Sequence, residues 1–176
     1  MRRSILGSIR FLIFSLIVFG GFYTVVVTGV GQWLFSNQAN GSQLTKDNQV
    51  VGSTLIGQPF EQDKYFSGRS QQVSQLSPVS NEQKRLVEKR TQAELAKNPA
   101  EEKVPNDLVT ASASGVDPDI SLKAAEFQVS RIANERGLSK RVIQKIIQEK
   151  VQKDWFSDRQ YVNVLQLNLA LDKLDV

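Results

Sequence analysis

The sequence predicts a single N-terminal transmembrane helix followed by a small α+β domain, and three patterns support that prediction. Residues 11–30 contain no charged residue, and about twenty helical residues span the roughly 30 Å hydrocarbon core of a bilayer. Further along the chain, apolar residues recur at helical spacing behind capping residues. From Leu165 onward, leucines alternate with polar residues, which is the period-two pattern of a strand with one buried face.

The uncharged run fits either a cleaved signal peptide or a retained membrane anchor. The apolar part of a signal peptide has about 7–15 residues and ends at a small-x-small cleavage site. Here the run is longer, and the bulky residues Trp33, Leu34 and Phe35 follow it. The nearest candidate cleavage site, around Ala39, has Asn37 in place of a small apolar residue. The sequence therefore predicts a retained anchor.

The charges on either side of this helix predict its orientation. Arg2, Arg3 and Arg10 precede it, whereas residues 32–45 contain no basic residue. The positive-inside rule places the N-terminus in the cytoplasm and the domain on the outer face of the membrane. Trp33 then falls where the outer aromatic belt is expected.

Small and hydroxyl residues lie along one stripe of the predicted helix. Membrane helices associate where small side chains allow close backbone approach and hydroxyls can bond across the contact. The stripe therefore predicts packing against other membrane helices, although glycine and threonine are also common in membrane spans that make no such contact. Its members, at spacings of three and four, are Gly21, Thr24, Thr28 and Gly31.

Composition argues against several functional classes. The chain has 22 basic and 18 acidic residues, and leaving out the three arginines before the helix reduces the basic count to 19. This near neutrality disfavours a nucleic-acid partner. The chain has no cysteine and no histidine, which excludes disulfides, thiolate and histidine catalysis, and the commonest zinc ligands. We therefore predict neither a catalytic residue nor a metal site.

We expect four segments: a basic cytoplasmic arm (residues 1–10), the anchor (11–31), a polar neck (32–49) and the extramembrane α+β domain (50–176). Asn-Gly in the neck predicts a tight turn. In the domain we expect helices packed on a small sheet. The expected elements, in order, are a strand near 50–56, a surface loop at 67–80, a helix from Ser80 to about Lys97, a helix from 122 to Gly137, a helix capped by Ser139, and a final strand at 162–172.

Residues 104–119 admit two interpretations. Small hydroxyl residues and a glycine before a helix can present N–H groups to an anion such as a nucleotide phosphate. However, the segment lacks the G-x-x-x-x-G-K-[ST] pattern. The favoured alternative is a turn in which Asp117, Asp119 and Ser121 cap the next helix. The candidate nucleotide-binding residues are Thr110, Ser112, Ser114 and Gly115.

Motifs along the whole chain resemble a known family. They include Gln-Ala-Asn-Gly-Ser at 38–42, Tyr-Phe-Ser-Gly-Arg at 65–69, Asp-Leu-Val-Thr-Ala-Ser-Ala-Ser-Gly-Val-Asp at 107–117 and Val-Asn-Val-Leu-Gln-Leu-Asn-Leu-Ala-Leu-Asp at 162–172. In these motifs the chain is similar to the C subunits of the Kdp complex, the bacterial P-type ATPase that imports potassium. Thr24 and Ser70 stand where that family usually has proline. The motif residues of interest are Gln38, Asn40, Gly41, Arg69, Asp107, Asp117, Asn163, Asn168 and Asp172.

The resemblance implies a non-catalytic subunit in the bacterial inner membrane. Its partners would be a channel-like potassium-binding subunit, an ATP-hydrolysing subunit and a small single-span subunit. The family is also described as a catalytic chaperone that binds ATP and raises the ATP affinity of the ATPase subunit. ATP is cytoplasmic, whereas the arginines predict an outward domain. The residues therefore favour an outward accessory domain, which could stabilise assembly or cover the potassium entrance. Assembly is the leading hypothesis, and the ATP-binding chaperone is the alternative.

Overall fold

A computed structural model describes residues 2–72 and 75–174. The chain divides into two compact units, Met1–Gln43 and Leu44–Val176. The start of the predicted arm, two residues of the predicted 67–80 loop and the last two residues of the predicted domain lie outside the described residues.

The first unit is a helical rod. Helix α1 (Arg2–Ser15) passes into a π-helical segment (Leu16–Tyr23) and then into α2 (Thr24–Leu34). Residues Ile5–Leu34 are long and apolar enough to cross a membrane, and their side chains are not buried within the chain. The Thr24 hydroxyl donates to the Phe19 carbonyl at 3.1 Å. After Phe35 a short helix, α3 (Ser36–Ala39), completes the unit.

The second unit contains short strands and helices around one core. In chain order they are β1 (Gln43–Lys46), β2 (Gln49–Ser53), α4 (Asn81–Lys97), α5 (Asn106–Val109), β3 (Asp119–Ser121), α6 (Leu122–Phe127), α7 (Val129–Arg136), α8 (Lys140–Lys150), β4 (Gln152–Lys153), β5 (Gln160–Asn163) and α9 (Val164–Asp172). The predicted fold class, one membrane helix followed by an α+β domain, is confirmed.

The core lies between a small antiparallel sheet and helices α6, α7, α8 and α9. The sheet has the strand order β3-β5-β4, and the β3–β5 register pairs Ile120 with Val162. Both side chains are fully buried, as are Ile132 of α7, Ile143 of α8 and Leu167 of α9. Helices therefore cover one face of the sheet, while β1 and β2 form a separate two-stranded sheet.

The predicted final strand is wrong over most of its length. Only Gln160–Asn163 is extended, and Val164–Asp172 is helix α9. The Asn163 side chain caps this helix by accepting a hydrogen bond from the Gln166 N–H at 3.2 Å. The alternating leucines led to the wrong prediction of a strand because α9 is buried around much of its circumference. Its apolar residues are therefore not confined to one helical stripe. The buried positions are Val164, Leu165, Leu167, Asn168 and Leu171.

The predicted ends of the other helices and strands mostly agree with the structure. The Ser80 side chain caps α4 by accepting from the Gln83 N–H, and Gly137 ends α7 in the left-handed conformation, with φ 64°. Three details differ: β2 ends at Ser53, the helix expected from 122 is interrupted at Gln128, and the Ser139 side chain makes no capping hydrogen bond.

The predicted capping of the next helix by aspartates is also wrong. The cap of α6 is Ser121, which accepts from the Ala124 N–H at 3.2 Å. Asp117 instead accepts from the Asp119 N–H, and Asp119 accepts from the Asn163 amide. Asp117 lies before β3 and Asp119 is the first residue of that strand, so neither carboxylate is at the helix end.

Candidate functional site

Several family-motif residues surround one irregular segment, residues 57–72, which we call the clamped loop. It has no regular secondary structure apart from a single parallel bridge between Ser70 and Ala111. A loop of this length exposes many backbone N–H and C=O groups that need partners once buried. Side chains of α7, of α9 and of Gln128, which lies between α6 and α7, supply many of those partners.

Arg69 joins the clamped loop to the long motif at 107–117. Its Nη1 donates to the Asp117 carboxylate at 2.8 Å, and its Nη2 donates to the Ala111 carbonyl at 3.1 Å. The Gly57 N–H donates to the Val116 carbonyl at 2.7 Å. A Cβ at Gly57 would lie 2.5 Å from the Asp117 carbonyl oxygen, so this approach requires glycine. The two motifs thus hold one another in place.

Two buried amides bind the middle of the clamped loop. Asn168 on α9, 2% exposed, accepts from the Phe66 N–H at 2.8 Å and donates to the Phe66 carbonyl at 3.0 Å. Gln128, at the break between α6 and α7, accepts from the Ser67 N–H at 2.8 Å and donates to the Ser67 carbonyl at 3.1 Å. Each amide satisfies both backbone groups of one residue, as a neighbouring strand would.

Arg131 on α7 satisfies carbonyls at the start of the same loop. It donates to the carbonyls of Asp63 and Tyr65 and to the side chains of Asn98 and Gln128. Burial lowers the pKa of Arg131, an effect that its acidic neighbours oppose. The sequence reasoning missed both Arg131 and Gln128.

Asp172 lies at the centre of a charged cluster at the end of α9. It accepts from Lys46 Nζ at 3.0 Å and from Arg136 Nη2 at 3.2 Å. Burial tends to raise the pKa of Asp172, but hydrogen bonds from Lys46, Tyr65 and Arg136 together lower it below the ordinary value. Arg136 also donates to the Lys64 carbonyl at 2.8 Å, and its guanidinium lies 5.0 Å from the centre of the Tyr65 ring. The cluster therefore holds the first part of the clamped loop.

The remaining polar motif residues of the domain also bond to backbone. The Asp107 carboxylate accepts from the Ser121 N–H at 2.6 Å. Asn163 Nδ2 donates to the Thr54 carbonyl at 2.8 Å and to the Asp119 carboxylate at 3.1 Å. Burial raises the pKa of Asp119, although the Asn163 hydrogen bond opposes the shift.

The candidate nucleotide-binding residues make local contacts. The Thr110 hydroxyl donates to the Asn106 carbonyl at 2.8 Å, and the Ser114 hydroxyl accepts from the Val116 N–H at 3.2 Å. Ser112 is 3% exposed, and its hydroxyl has no hydrogen-bond partner within residues 2–72 and 75–174. Gly115 adopts φ 73°. These contacts belong to a turn, and a nucleotide role stays a prediction.

A groove of about 730 Å³ lies beside α5. Its charged lining residues are of both signs, with carboxylates and ammonium groups interspersed. This mixture gives the groove no evident preference for a phosphate group. The charged residues are Glu101, Lys103, Asp107, Lys123 and Glu126.

In the first unit, the predicted packing stripe lies on the membrane helix, and the motif residues Gln38, Asn40 and Gly41 come after that helix. A Cβ at Gly21 or Gly31 would meet nothing within 4 Å in this chain, so that stripe is sterically open to another helix. Asn40 donates to the Ser36 carbonyl at 2.7 Å, the Gly41 N–H donates to the Gln38 carbonyl at 3.0 Å, and Gly41 adopts φ 81°. These contacts form the tight turn that the Asn-Gly pair predicts.

Within the described residues, the fold comprises one helix long and apolar enough to span a membrane, followed by an α+β unit in which polar motif residues hold the clamped loop. Comparison with known proteins identifies the family. The sequence model of KdpC, described as K+-transporting ATPase, c chain, matches residues 5–173. The chain belongs to the KdpC family, and so is a subunit of a potassium-transporting ATPase complex located in a membrane.

Individual relatives match along almost their whole length, and each is named a potassium-transporting ATPase KdpC subunit. The chain is 46% identical to the protein of Listeria innocua, over 94% of this chain and 93% of the relative. It is 39% identical to that of Mycobacterium tuberculosis H37Rv, over 99% and 100%. The identity to that of Escherichia coli O157:H7 is also 39%, over 98% and 99%.

Proposed function

We propose that this chain is a non-catalytic accessory subunit that stabilises assembly of the potassium-binding and ATP-hydrolysing subunits. The observation that supports the proposal is that the motif side chains bond to groups within their own domain. Arg69, Asn168 and Asp172 bond to the backbone or to charged groups of their own domain. Residues used in this way fix the shape of a domain that can present a surface to other subunits. The contacting partners are proposed to be the channel-like potassium-binding subunit, the ATP-hydrolysing subunit and the small single-span subunit.

We propose that the chain consists of an arm (residues 1–10), an anchor (11–31), a neck (32–49) and a domain (50–176). We also propose that the anchor spans a bacterial inner membrane with the N-terminus in the cytoplasm. Support comes from the arginines at positions 2, 3 and 10 and from the uncharged stretch that extends to Lys46. In this orientation the domain lies on the outer face, where cytoplasmic ATP does not reach it.

The assembly role is tested through the open stripe of the anchor. Replacing Gly21, Thr24 and Thr28 with leucine blocks close backbone approach, so the chain is expected to be lost from the detergent-solubilised complex. The matched control replaces Phe19, Val26 and Val30, on the opposite side of the helix, with leucine. Circular dichroism of each full-length variant checks that the domain remains folded. Equal co-purification of both triple variants would contradict helix packing through this stripe.

The ATP-binding alternative makes different predictions. It requires a cytoplasmic domain and contact with ATP near residues 110–115. Protease added to intact spheroplasts is expected to digest the domain if it lies outside. Protection of the domain, combined with photoaffinity labelling of residues 110–115 by an ATP analogue, would overturn the proposal in favour of the alternative.

A further inference from the structure

The turn between β4 and β5 presents two aromatic side chains to solvent. Trp155 is 95% exposed and Phe156 is 97% exposed. Neighbouring residues of the turn, including Lys153, Asp154 and Asp158, are polar or charged. Aromatic side chains bury about 150–250 Å² each when covered, and leaving both in water forgoes that stabilisation. Their exposure points to an apolar contact outside this chain.

Hydrogen bonds hold the turn in one conformation. The Asp154 carboxylate accepts from the Phe156 N–H at 3.2 Å and from the Ser157 hydroxyl at 3.0 Å. The Asp154 N–H donates to the Arg159 carbonyl at 3.0 Å, and Lys153 pairs with Asp158 at 2.7 Å. The Phe156 N–H is the main reason that the pKa of Asp154 lies below its ordinary value. Both carboxylates are thus engaged within the hairpin, and the aromatic pair is displayed on a preorganised turn.

We propose that Trp155 and Phe156 insert into the interfacial layer of the bilayer that anchors the chain. A tryptophan ring has an apolar body and an N–H donor, which suits the level of the lipid headgroups. The basic residue Arg159 lies in the turn and Lys150 ends α8 shortly before β4, and both can approach anionic headgroups. Because the same chain carries a membrane helix, the turn is at a high effective concentration near the bilayer. A small apolar area is therefore enough for the turn to bind the lipid surface.

The size of the aromatic pair favours lipid over a protein partner. Two rings can cover roughly 300–500 Å² at about 150–250 Å² each, whereas each partner in a specific protein interface buries about 800 Å². The adjacent exposed residues Gln152, Ser157 and Gln160 would add polar rather than apolar area. A lipid surface needs no complementary pocket, so two protruding rings match it better.

Fluorescence of the full-length chain in liposomes tests the proposal. The chain has two tryptophans, so Trp33→Phe leaves Trp155 as the only emitter. The liposomes contain phosphatidylethanolamine and phosphatidylglycerol brominated near the headgroup end of the acyl chains. We expect a blue-shifted Trp155 emission and strong quenching by the brominated lipids, because interfacial segments lie about 5–10 Å into the headgroup boundary.

The matched control carries Trp33→Phe, Trp155→Phe and Val79→Trp. Val79 is an exposed residue of the domain, 78% accessible and outside the hairpin, and its tryptophan is expected to emit as in water without quenching. Trp155 emission equal to that of this control would overturn the proposal. Emission that is unquenched in the chain alone, and shifts only when the other subunits are reconstituted with it, would also overturn it, since the turn would then bind protein.

Discussion

At the residue scale, the polar motif residues act on backbone far away in the sequence. Asn168 and Phe66 are 102 residues apart, so the sequence could mark Asn168 as notable without indicating what it binds. The sequence did contain an indication that the Gln128 side chain is buried and bonded within the domain. Gln128 lies three residues after Ala125 and four before Ile132, so in the helix expected from 122 to Gly137 it shares one face with these two apolar residues. A polar side chain on a buried stripe needs an internal partner, and here that partner is Ser67.

Replacing Asn168 with leucine tests the role of the buried amide. The change leaves the N–H and C=O of Phe66 without their partners, and each unsatisfied buried group costs about 1–3 kcal/mol. We expect the free energy of unfolding to fall accordingly in denaturant titrations of the full-length chain. Gln148→Leu, at an exposed position of α8, is the control and should change the stability by only about 0.5 kcal/mol. Similar effects of the two changes would contradict a structural role for Asn168.

The charged cluster around Asp172 predicts a pH dependence. The folded-state pKa of Asp172 is lowered, so its ionised form stabilises the fold above the unfolded-state pKa of about 3.9. That stability is lost as the pH falls through the lower, folded-state pKa. Asp172→Asn should therefore be less stable than the original chain at neutral pH, and the difference should shrink below about pH 4. A stability difference that is constant from pH 7 to pH 2 would refute this assignment.

At the element scale, α9 shows where pattern reasoning fails. Alternation of apolar and polar residues predicts a strand only when one face of the segment is exposed to solvent, and α9 contacts the core on several sides. The helix also fits the high helix propensity of leucine. The helix ends at Ser80 and Gly137 were predicted correctly, because these residues satisfy terminal backbone groups through local contacts alone.

Two alanine substitutions distinguish the helix from the predicted strand. In a strand, Leu167 and Leu169 would share the buried face, and their replacement would cost similar amounts. In α9 Leu167 is fully buried, whereas Leu169 is half-buried. Leu167→Ala should therefore destabilise the chain by about 2–5 kcal/mol, and Leu169→Ala should cost clearly less. Thermal unfolding of the full-length variants measures both, and equal losses would favour the strand.

At the scale of the whole molecule, the sequence predicted the membrane helix and the fold class but not the tertiary contacts. The membrane helix could be predicted because a helix that spans the bilayer must match the thickness of the hydrocarbon core. The length of an uncharged run can be read directly from the sequence and compared with that thickness. The clamped loop has no periodicity, and its conformation depends on side chains from α7, from α9 and from Gln128 at the break between α6 and α7. Its packing could not be derived from residues 57–72 alone.

The orientation of the whole chain is the prediction that depends most on a few charges. Replacing Arg2, Arg3 and Arg10 with glutamine and placing lysines at Gln32, Asn37 and Ser42 reverses the basic asymmetry across the helix. Because lysine and arginine near a membrane helix set its topology, the original chain should export alkaline phosphatase fused after its C-terminus, whereas the charge-reversed chain should keep the fusion in the cytoplasm. Replacing only Lys140, Lys145 and Lys150, which are remote from the membrane helix in the sequence, with glutamine is the control and should leave the reporter exported. A reporter that is inactive in the original chain would mean that the domain faces the cytoplasm, where ATP can reach it.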